Sequence, residues 1–173
     1  MSAVSAASPP GPVRLGLIGS PNSGKTTLFN ALTGLRAKVG NYPGVTVERR
    51  EGSLVLEGRD ARLIDLPGTY SLDPISPDEA VVSQVLAGEV EGVAPPEALV
   101  IVADACSLER SLLLIAQVVA EDRPTCLVLT MMDELAVRGG SLDTSRLQDA
   151  LGIPVVPVVG HKGLGIRQLR VLL

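Results

Sequence analysis

Residues 19–26 read Gly-Ser-Pro-Asn-Ser-Gly-Lys-Thr, which is the spacing G-x-x-x-x-G-K-[ST] of a phosphate-binding loop. The apolar run 13–18 before it predicts a strand, and the stretch 27–32 after it contains no helix breaker and predicts a helix. The two glycines let the backbone curl so that successive N–H groups can face a polyphosphate. The sequence therefore predicts a strand, a glycine-rich turn and a helix N-terminus that bind phosphate groups together.

Each residue of this turn and the threonine after it is a candidate nucleotide contact. The candidates are Gly19, Ser20, Pro21, Asn22, Ser23, Gly24, Lys25, Thr26 and Thr27. The ammonium group of Lys25 can reach the outer phosphates, which makes it a candidate catalytic residue. The hydroxyl of Thr26 can bind the Mg²⁺ that accompanies a nucleoside triphosphate.

Composition limits the class of protein and of partner. The 173 residues suit one domain, and 46% hydrophobic with 20% charged residues is typical of a globular chain. A net charge of −4 and a pI near 5.0 argue against a nucleic-acid partner. No stretch approaches the roughly 18 apolar residues of a membrane span. Cys106 and Cys126 form no C-x-x-C pair and are expected to be reduced thiols of the core.

The rest of the chain alternates between strand and helix patterns. Strands are predicted at 13–18, 46–57, 62–66, 98–103, 125–129 and 154–159, and helices at 24–33, 77–86, 107–120, 143–151 and 164–173. Ser107 is expected to cap its helix, whose buried face should hold Leu112, Leu113, Ile115, Ala116 and Val119. Residues 34–46 are expected to be a mobile loop. This order predicts an α/β fold with a mostly parallel, six-stranded sheet covered by helices on both faces.

A second motif, Asp65-Leu-Pro-Gly68, follows the predicted strand 62–66. A carboxylate at Asp65 can hold a water on the Mg²⁺, and the N–H of Gly68 can contact a γ-phosphate and report its presence. Thr46, at the end of the predicted mobile loop, could complete the Mg²⁺ shell when a triphosphate is bound. The alternative interpretation of Thr46 is an ordinary residue at the start of a strand.

Residues 130–133 lie where GTPases that carry this phosphate-binding loop have the base-recognition motif N-K-x-D. Asp133 keeps the carboxylate that accepts hydrogen bonds from N1–H and the 2-amino group of guanine. Met131 can cover the plane of the base, but the hydroxyl of Thr130 cannot replace an amide. In the last loop, Val159, Gly160 and His161 are candidate base contacts, with the N–H of Gly160 directed at guanine O6. We expect guanine selectivity to be kept while affinity is weakened.

Five stretches resemble the G domain of the ferrous iron transport protein B (FeoB) family. They are residues 19–34, 39–48, 65–72, 107–110 and 131–134, and the resemblance extends over about 13–173. Residues 1–12 are expected to be a flexible tail. The family continues into a helical domain and a membrane permease, both absent here. Because the sequence stops inside its last predicted helix, we expect it to be a fragment of a longer protein.

The resemblance implies a three-layer, Ras-like P-loop GTPase fold. It also implies a switch that binds GTP and GDP, hydrolyses GTP slowly and regulates Fe²⁺ uptake through the permease at the cytoplasmic face of the bacterial inner membrane. The family lacks the glutamine that orients the attacking water, and Thr69 stands at that position. Some similar GTPases bind K⁺ through an asparagine that matches Asn22, although Asn22 could instead be a simple turn residue.

Two other functions are open at this point. A soluble GTPase of the same class that assists ribosome or RNA assembly would carry the same phosphate loop. A nucleotide-binding module with little turnover would be compatible with the altered base-recognition motif.

Overall fold

The computed structural model describes residues 11–173, so ten of the twelve residues of the expected N-terminal tail lie outside the described residues. One mixed sheet contains β1 (Val13–Gly19), β2 (Ala37–Asn41), β3 (Glu48–Leu56), β4 (Arg59–Asp65), β5 (Ala98–Asp104), β6 (Thr125–Thr130) and β7 (Val155–Pro157). The α-helices are α1 (Lys25–Thr33), α2 (Pro77–Ala87), α3 (Leu112–Val119), α4 (Met132–Val137), α5 (Thr144–Leu151) and α6 (Ile166–Leu172). Short 3₁₀-helices occupy Ala105–Ser111 and Gly160–Lys162.

The strand order is β2-β3-β4-β1-β5-β6-β7. Strands β4, β1, β5, β6 and β7 are parallel to one another, whereas β3 runs antiparallel to both β2 and β4. The α/β class and the mostly parallel sheet are confirmed, but the sheet has seven strands rather than six. Because β1 and β4 to β7 point the same way, the segments that follow β1, β4, β5 and β6 emerge at one edge of the sheet.

The additional strand, β2, lies within residues 34–46, where a mobile loop was expected. It pairs antiparallel with β3 and places Lys38 opposite Glu51. All five of its residues are exposed. An edge strand without a buried face has no hydrophobic alternation, so its sequence pattern is that of a loop.

Both faces of the sheet are covered, as near-continuous apolar strands require. Along β5, the side chains of Val100 and Val102 join the core beneath α1 and α6, and those of Leu99 and Ile101 join the core beneath α2, α3 and α5. All four are at most 1% exposed. The resulting three layers fix the β1–α1 turn rigidly, because both flanking elements are anchored in the same core.

The predicted helix 107–120 differs from the structure in its start and in its buried face. Asp104, not Ser107, caps the first turn by accepting a hydrogen bond from the N–H of Cys106 at 2.8 Å. The backbone at Ser107 is non-helical, with φ −139°, and this kink changes the helical phase. The buried residues of α3 are therefore Leu114, Ile115 and Val118, while Leu112 and Leu113 are exposed.

Helix α4 has no counterpart among the predicted elements. It follows β6 directly, and the residue before it, Met131, takes a left-handed backbone conformation with φ +58°. Its six residues include no buried side chain. Of the two cysteines, Cys126 lies in the core as expected, but Cys106 is partly exposed.

Within residues 11–173, none of the α-helices has the length and apolar character that a bilayer crossing requires.

Candidate functional site

The phosphate loop has the predicted context, since β1 ends at Gly19 and α1 begins at Lys25. Gly24 has φ +85°, a conformation that side chains disfavour. At Gly19 the restriction is steric, because a Cβ atom there would lie 2.5 Å from the carbonyl oxygen of Val102. The two glycines of the motif are thus required by backbone conformation at one position and by close packing at the other.

A cavity of about 510 Å³ opens above this loop. Its lining consists of Ser20, Pro21, Asn22, Gly24, Lys25, Thr26, Thr27, Gly68 and Met131. Two predicted contacts lie outside that lining. Ser23 is 1% exposed beneath the loop, and the carbonyl of Gly19 accepts a hydrogen bond from Thr69 N–H at 3.0 Å. Most of the predicted phosphate-binding residues therefore share one open, polar cavity.

Lys25 connects the loop to the end of β4. Its ammonium group forms an ion pair with the Asp65 carboxylate and donates to the Leu66 carbonyl at 2.6 Å. The side chains of Lys25 and Asp65 are only 11% and 13% exposed. Burial strengthens such a pair, because little solvent screens the two charges.

The segment after Asp65 packs directly on the phosphate loop. A Cβ atom at Gly68 would lie 3.2 Å from the backbone of Pro21, so a larger residue would force Pro21 to shift by a few tenths of an ångström. Thr69 is 1% exposed, and its hydroxyl donates to the carbonyl of Ser71 at 2.6 Å. Its side chain is therefore directed into its own segment rather than into the cavity.

Helix α3 holds the far end of the same segment, a contact that the sequence did not indicate. The side chain of Gln117 accepts a hydrogen bond from Leu72 N–H at 2.7 Å and donates to Asp73 at 2.8 Å. Ser83 on α2 donates to the carbonyl of Leu72 at 2.7 Å. These contacts fix the segment at Leu72 and Asp73, a few residues after Gly68.

Residues 42–47 between β2 and β3 are held by Tyr42, whose N–H donates to the carbonyl of Val47 at 2.9 Å, and by Val45 and Val47, which pack partly buried against the core. Tyr42 is 2% exposed, and burial raises the pKa of its phenol to about 12. Thr46 is exposed and does not line the phosphate cavity. The structure therefore brings Asp65 next to Lys25 but does not bring Thr46 to the same place.

A second, smaller cavity of about 90 Å³ adjoins the first. It contains all six residues predicted to contact the base, namely Thr130, Met131, Asp133, Val159, Gly160 and His161. Gly24, Thr27 and Met131 line both cavities. The two cavities are thus adjacent compartments of a single site.

The carboxylate of Asp133 is the main charged group of the smaller cavity. Desolvation alone would raise its pKa, but the backbone N–H of Glu134 and the nearby Lys162 and His161 outweigh it and lower the pKa. Lys162 Nζ lies 3.6 Å and His161 Nε2 3.8 Å from the carboxylate. Asp133 is thus ionised near neutral pH and can only accept hydrogen bonds.

Oxygen groups in the larger cavity and beside it fit a hard cation, since Thr26 lines the cavity and Asp65 pairs with the lining residue Lys25. Thr26 and Asp65 offer a hydroxyl and a carboxylate, the ligand types that Mg²⁺ prefers. Across residues 11–173, no group of three or more His, Cys, Asp or Glu side chains could hold a metal ion. A Mg²⁺ at this site would therefore need phosphate oxygens and water for its remaining ligands, and Asp65 would have to leave Lys25.

Residues 13–172 match the family model described as ferrous iron transport protein B. The Fe(2+) transporter FeoB of Leptospira biflexa is 43% identical over 157 residues, which cover 91% of this chain and 22% of the relative. The chain thus spans about a fifth of that relative's length.

Two solved structures, each about 40% identical in sequence to this chain, have the same fold. The G domain of the T. maritima FeoB iron transporter superposes with a TM-score of 0.82 at 39% identity, covering 94% of this chain and 96% of that one. The cytosolic domain of the same transporter in its GMPPNP form gives 0.83 at 41% identity, covering 91% and 61%. The chain belongs to the ferrous iron transport protein B family and has the P-loop GTPase fold of that family's G domain.

Proposed function

We propose that this chain binds guanine nucleotides and hydrolyses GTP, as the switch domain of a ferrous iron transporter. The observation that carries the proposal is the shared lining of the two cavities by Gly24, Thr27 and Met131. A base held at Asp133 would have its phosphates directed into the cavity above the phosphate loop. The GMPPNP form of the T. maritima relative supports a guanine nucleotide as the ligand.

The phosphates are bound by the loop and by Lys25. Backbone N–H groups of residues 20–26 and the N-terminus of α1 supply positive partial charge. Lys25 exchanges its partners Asp65 and Leu66 for the outer phosphates. This exchange leaves the Asp65 carboxylate available for a Mg²⁺-bound water, and Thr26 contributes its hydroxyl. When bound, Mg²⁺ neutralises charge that develops on the phosphate oxygens.

Base selection rests on Asp133. Its carboxylate accepts hydrogen bonds from N1–H and the 2-amino group of guanine, two donors that adenine lacks. An adenine base offers neither donor, so the carboxylate would have no hydrogen-bond partner on that base. Met131 covers one face of the base, and the backbone of Val159, Gly160 and His161 borders its edge.

The presence of the γ-phosphate is sensed by two segments. Gly68 lies against Pro21 and must move to direct its N–H at a terminal phosphate. Thr46 is exposed and must approach the cavity to contribute its hydroxyl. Because Tyr42 stays buried on one side and Leu72 is held by Gln117 on the other, both movements are confined to short segments.

Hydrolysis proceeds without a water-orienting glutamine, and we expect it to be slow. Thr69 stands in that position, and its buried hydroxyl is bound to the carbonyl of Ser71. Asn22 lines the cavity, and its amide oxygen would instead help to hold a K⁺ ion. Such a cation would offset negative charge in the transition state.

The transport role concerns parts of the protein beyond this sequence. We propose that a helical domain and a membrane permease accompany this domain at the cytoplasmic face of the bacterial inner membrane, with Fe²⁺ as the cargo. Membership in the transporter family supports this role over assistance to ribosome or RNA assembly.

One observation favours a second candidate, a guanine-nucleotide-binding module with little turnover. Within residues 11–173, the side chain of Thr69 is directed away from the phosphate cavity, and no carboxylate or histidine is part of its lining. Phosphate release at saturating GTP in Mg²⁺ and K⁺ distinguishes the two. A switch enzyme releases phosphate in successive turnovers, whereas a module binds GTP and releases none above the rate without protein.

A further inference from the structure

The hydroxyl of Thr130 is fully engaged with the backbone. It donates a hydrogen bond to the carbonyl of Ser23 at 2.6 Å and lies 3.2 Å from the carbonyl of Ala103. Thr130 is 5% exposed and Ser23 is 1% exposed, so solvent cannot replace either partner easily. Since a hydroxyl carries one proton, no donor remains on this side chain for a ligand.

The orientation of Thr130 is also fixed by packing. At Gly24, a Cβ atom would lie 3.2 Å from the γ-methyl group of Thr130, so the methyl packs closely on the start of α1. Rotation of the side chain toward the small cavity would leave the buried Ser23 carbonyl without its donor. The hydroxyl therefore connects the end of β6 to the phosphate loop.

Because the Thr130 hydroxyl is already bonded to the Ser23 carbonyl, it cannot donate to the acceptors of guanine. One edge of the base carries the donors N1–H and 2-amino, while N7 and O6 on the other edge are acceptors. Asp133 can serve only the donor edge. Thr130 has no free proton for N7, and two acceptors cannot bond to each other.

We infer that Thr130 makes no hydrogen bond to guanine N7 and instead positions the phosphate loop. The site should then bind guanine nucleotides equally well whether or not the base has a nitrogen at position 7. The inference rests on the proposed function, namely guanine nucleotide binding in the two adjoining cavities. The ligand class is defined by the 2-amino-6-oxo edge, and it includes nucleotides of 7-deazaguanine, in which a C–H replaces N7.

The decisive measurement is the affinity of the folded chain for GDP and for 7-deaza-GDP by isothermal titration calorimetry in excess Mg²⁺. We expect the two dissociation constants to agree within about twofold. A loss of about fivefold or more for 7-deaza-GDP, the worth of one hydrogen bond, would overturn the inference and leave the proposed function intact. Failure of GDP itself to bind would reject the proposed function and the inference with it.

Variants of Thr130 distinguish a role in positioning the phosphate loop from a direct hydrogen bond to the base. T130V removes the donor at nearly constant volume and should weaken both nucleotides by the same factor of about 3–10. T130S retains the hydroxyl and should restore both affinities. A T130V variant that changes the ratio of the two affinities, or a T130S variant that fails to restore them, would contradict the positioning role.

T130N provides the converse test, because an amide has two N–H donors. One can bond to the carbonyl of Ser23 and the other to N7, so this variant should bind 7-deaza-GDP about fivefold more weakly than GDP. T125V is the matched control at the opposite end of β6, where the threonine hydroxyl donates to the carbonyl of Arg123 at 2.8 Å. It should leave both affinities unchanged.

Discussion

The ammonium group of Lys25 forms a buried ion pair with the carboxylate of Asp65. One partner is the residue proposed to bind the outer phosphates, and the other is the residue proposed to hold a Mg²⁺-bound water. In this arrangement each charge neutralises the other. If Lys25 binds the outer phosphates as proposed, it must leave Asp65, so phosphate contact and release of the Asp65 carboxylate would be coupled.

The first prediction concerns Lys25. K25A should weaken GDP binding roughly 10- to 150-fold, because hydrogen bonds to charged groups contribute about 1.5–3 kcal/mol. It should also lower the free energy of unfolding, because Asp65 would lose its buried partner. Calorimetry and urea denaturation measure the two effects. K38A, at an exposed position of β2, is the control and should change neither.

Asp133 is predicted to decide between guanine and adenine. D133N replaces a charged acceptor with an amide and should weaken GDP binding by about 10-fold or more while leaving ADP binding nearly unchanged. Competition against a fluorescent nucleotide gives both values. D149N, on the exposed side of α5, controls for the loss of one charge. Intact discrimination in D133N would exclude Asp133 as the reader of the base.

Introducing the missing glutamine at Thr69 should not create a faster enzyme. The position is 1% exposed, and the hydroxyl is bonded to Ser71, so T69Q should cost about 1–3 kcal/mol of stability through overpacking. Phosphate release should stay at or below the parent rate. T69S, which retains the hydroxyl, should resemble the parent. A tenfold acceleration in T69Q would show that this side chain does reach the cavity.

Asn22 is predicted to confer a preference for K⁺. Its backbone has φ +61°, so N22G removes the side chain without introducing strain. The parent should hydrolyse GTP about tenfold or more faster in K⁺ than in Na⁺, and N22G should lose this difference. GDP affinity in Na⁺ serves as the control and should be retained. Equal parent rates in the two salts would remove any role for K⁺.

Glu51 should contribute a pH-dependent part of stability. Burial raises its pKa, but hydrogen bonds from Arg62 and Arg49, each at 2.9 Å, outweigh burial and hold the pKa below its ordinary value of 4.5. Because the folded pKa is depressed, the contribution is complete above pH 4.5 and disappears as pH falls through the folded pKa.

E51Q should therefore be less stable than the parent by about 1 kcal/mol at pH 7, and the deficit should be smaller at a second pH below 4.5. Urea denaturation at the two pH values measures the difference. E91Q, in an exposed loop, should match the parent at both. A deficit of E51Q that persists at low pH would assign the effect to packing rather than to charge.

The sequence was most informative where local chemistry restricts the choice of residue. Gly24 and Lys25 could be located because a strand, a tight turn and a helix leave few alternatives at those positions. The parallel core strands could be recognised because both of their faces are buried. The edge strand β2 is exposed along its whole length and the short helix α4 has no fully buried side chain, so their sequences carry little periodic signal.

The contacts between distant segments could not be predicted. Lys25 meets Asp65 across 40 positions of sequence, and Thr130 meets Ser23 across 107. Gln117 accepts a hydrogen bond from Leu72, but in the sequence it cannot be distinguished from other polar residues on a helix. Such pairs depend on the order of strands in the sheet, which residue patterns alone did not specify.

The most direct test of the central claim is the affinity of the folded chain for GDP compared with ADP in Mg²⁺ by isothermal titration calorimetry. We predict that GDP binds at least about 100-fold more tightly, since a site built to hydrogen-bond one base rejects another that lacks the donors. Equal affinities, or no binding of either nucleotide, would contradict the account.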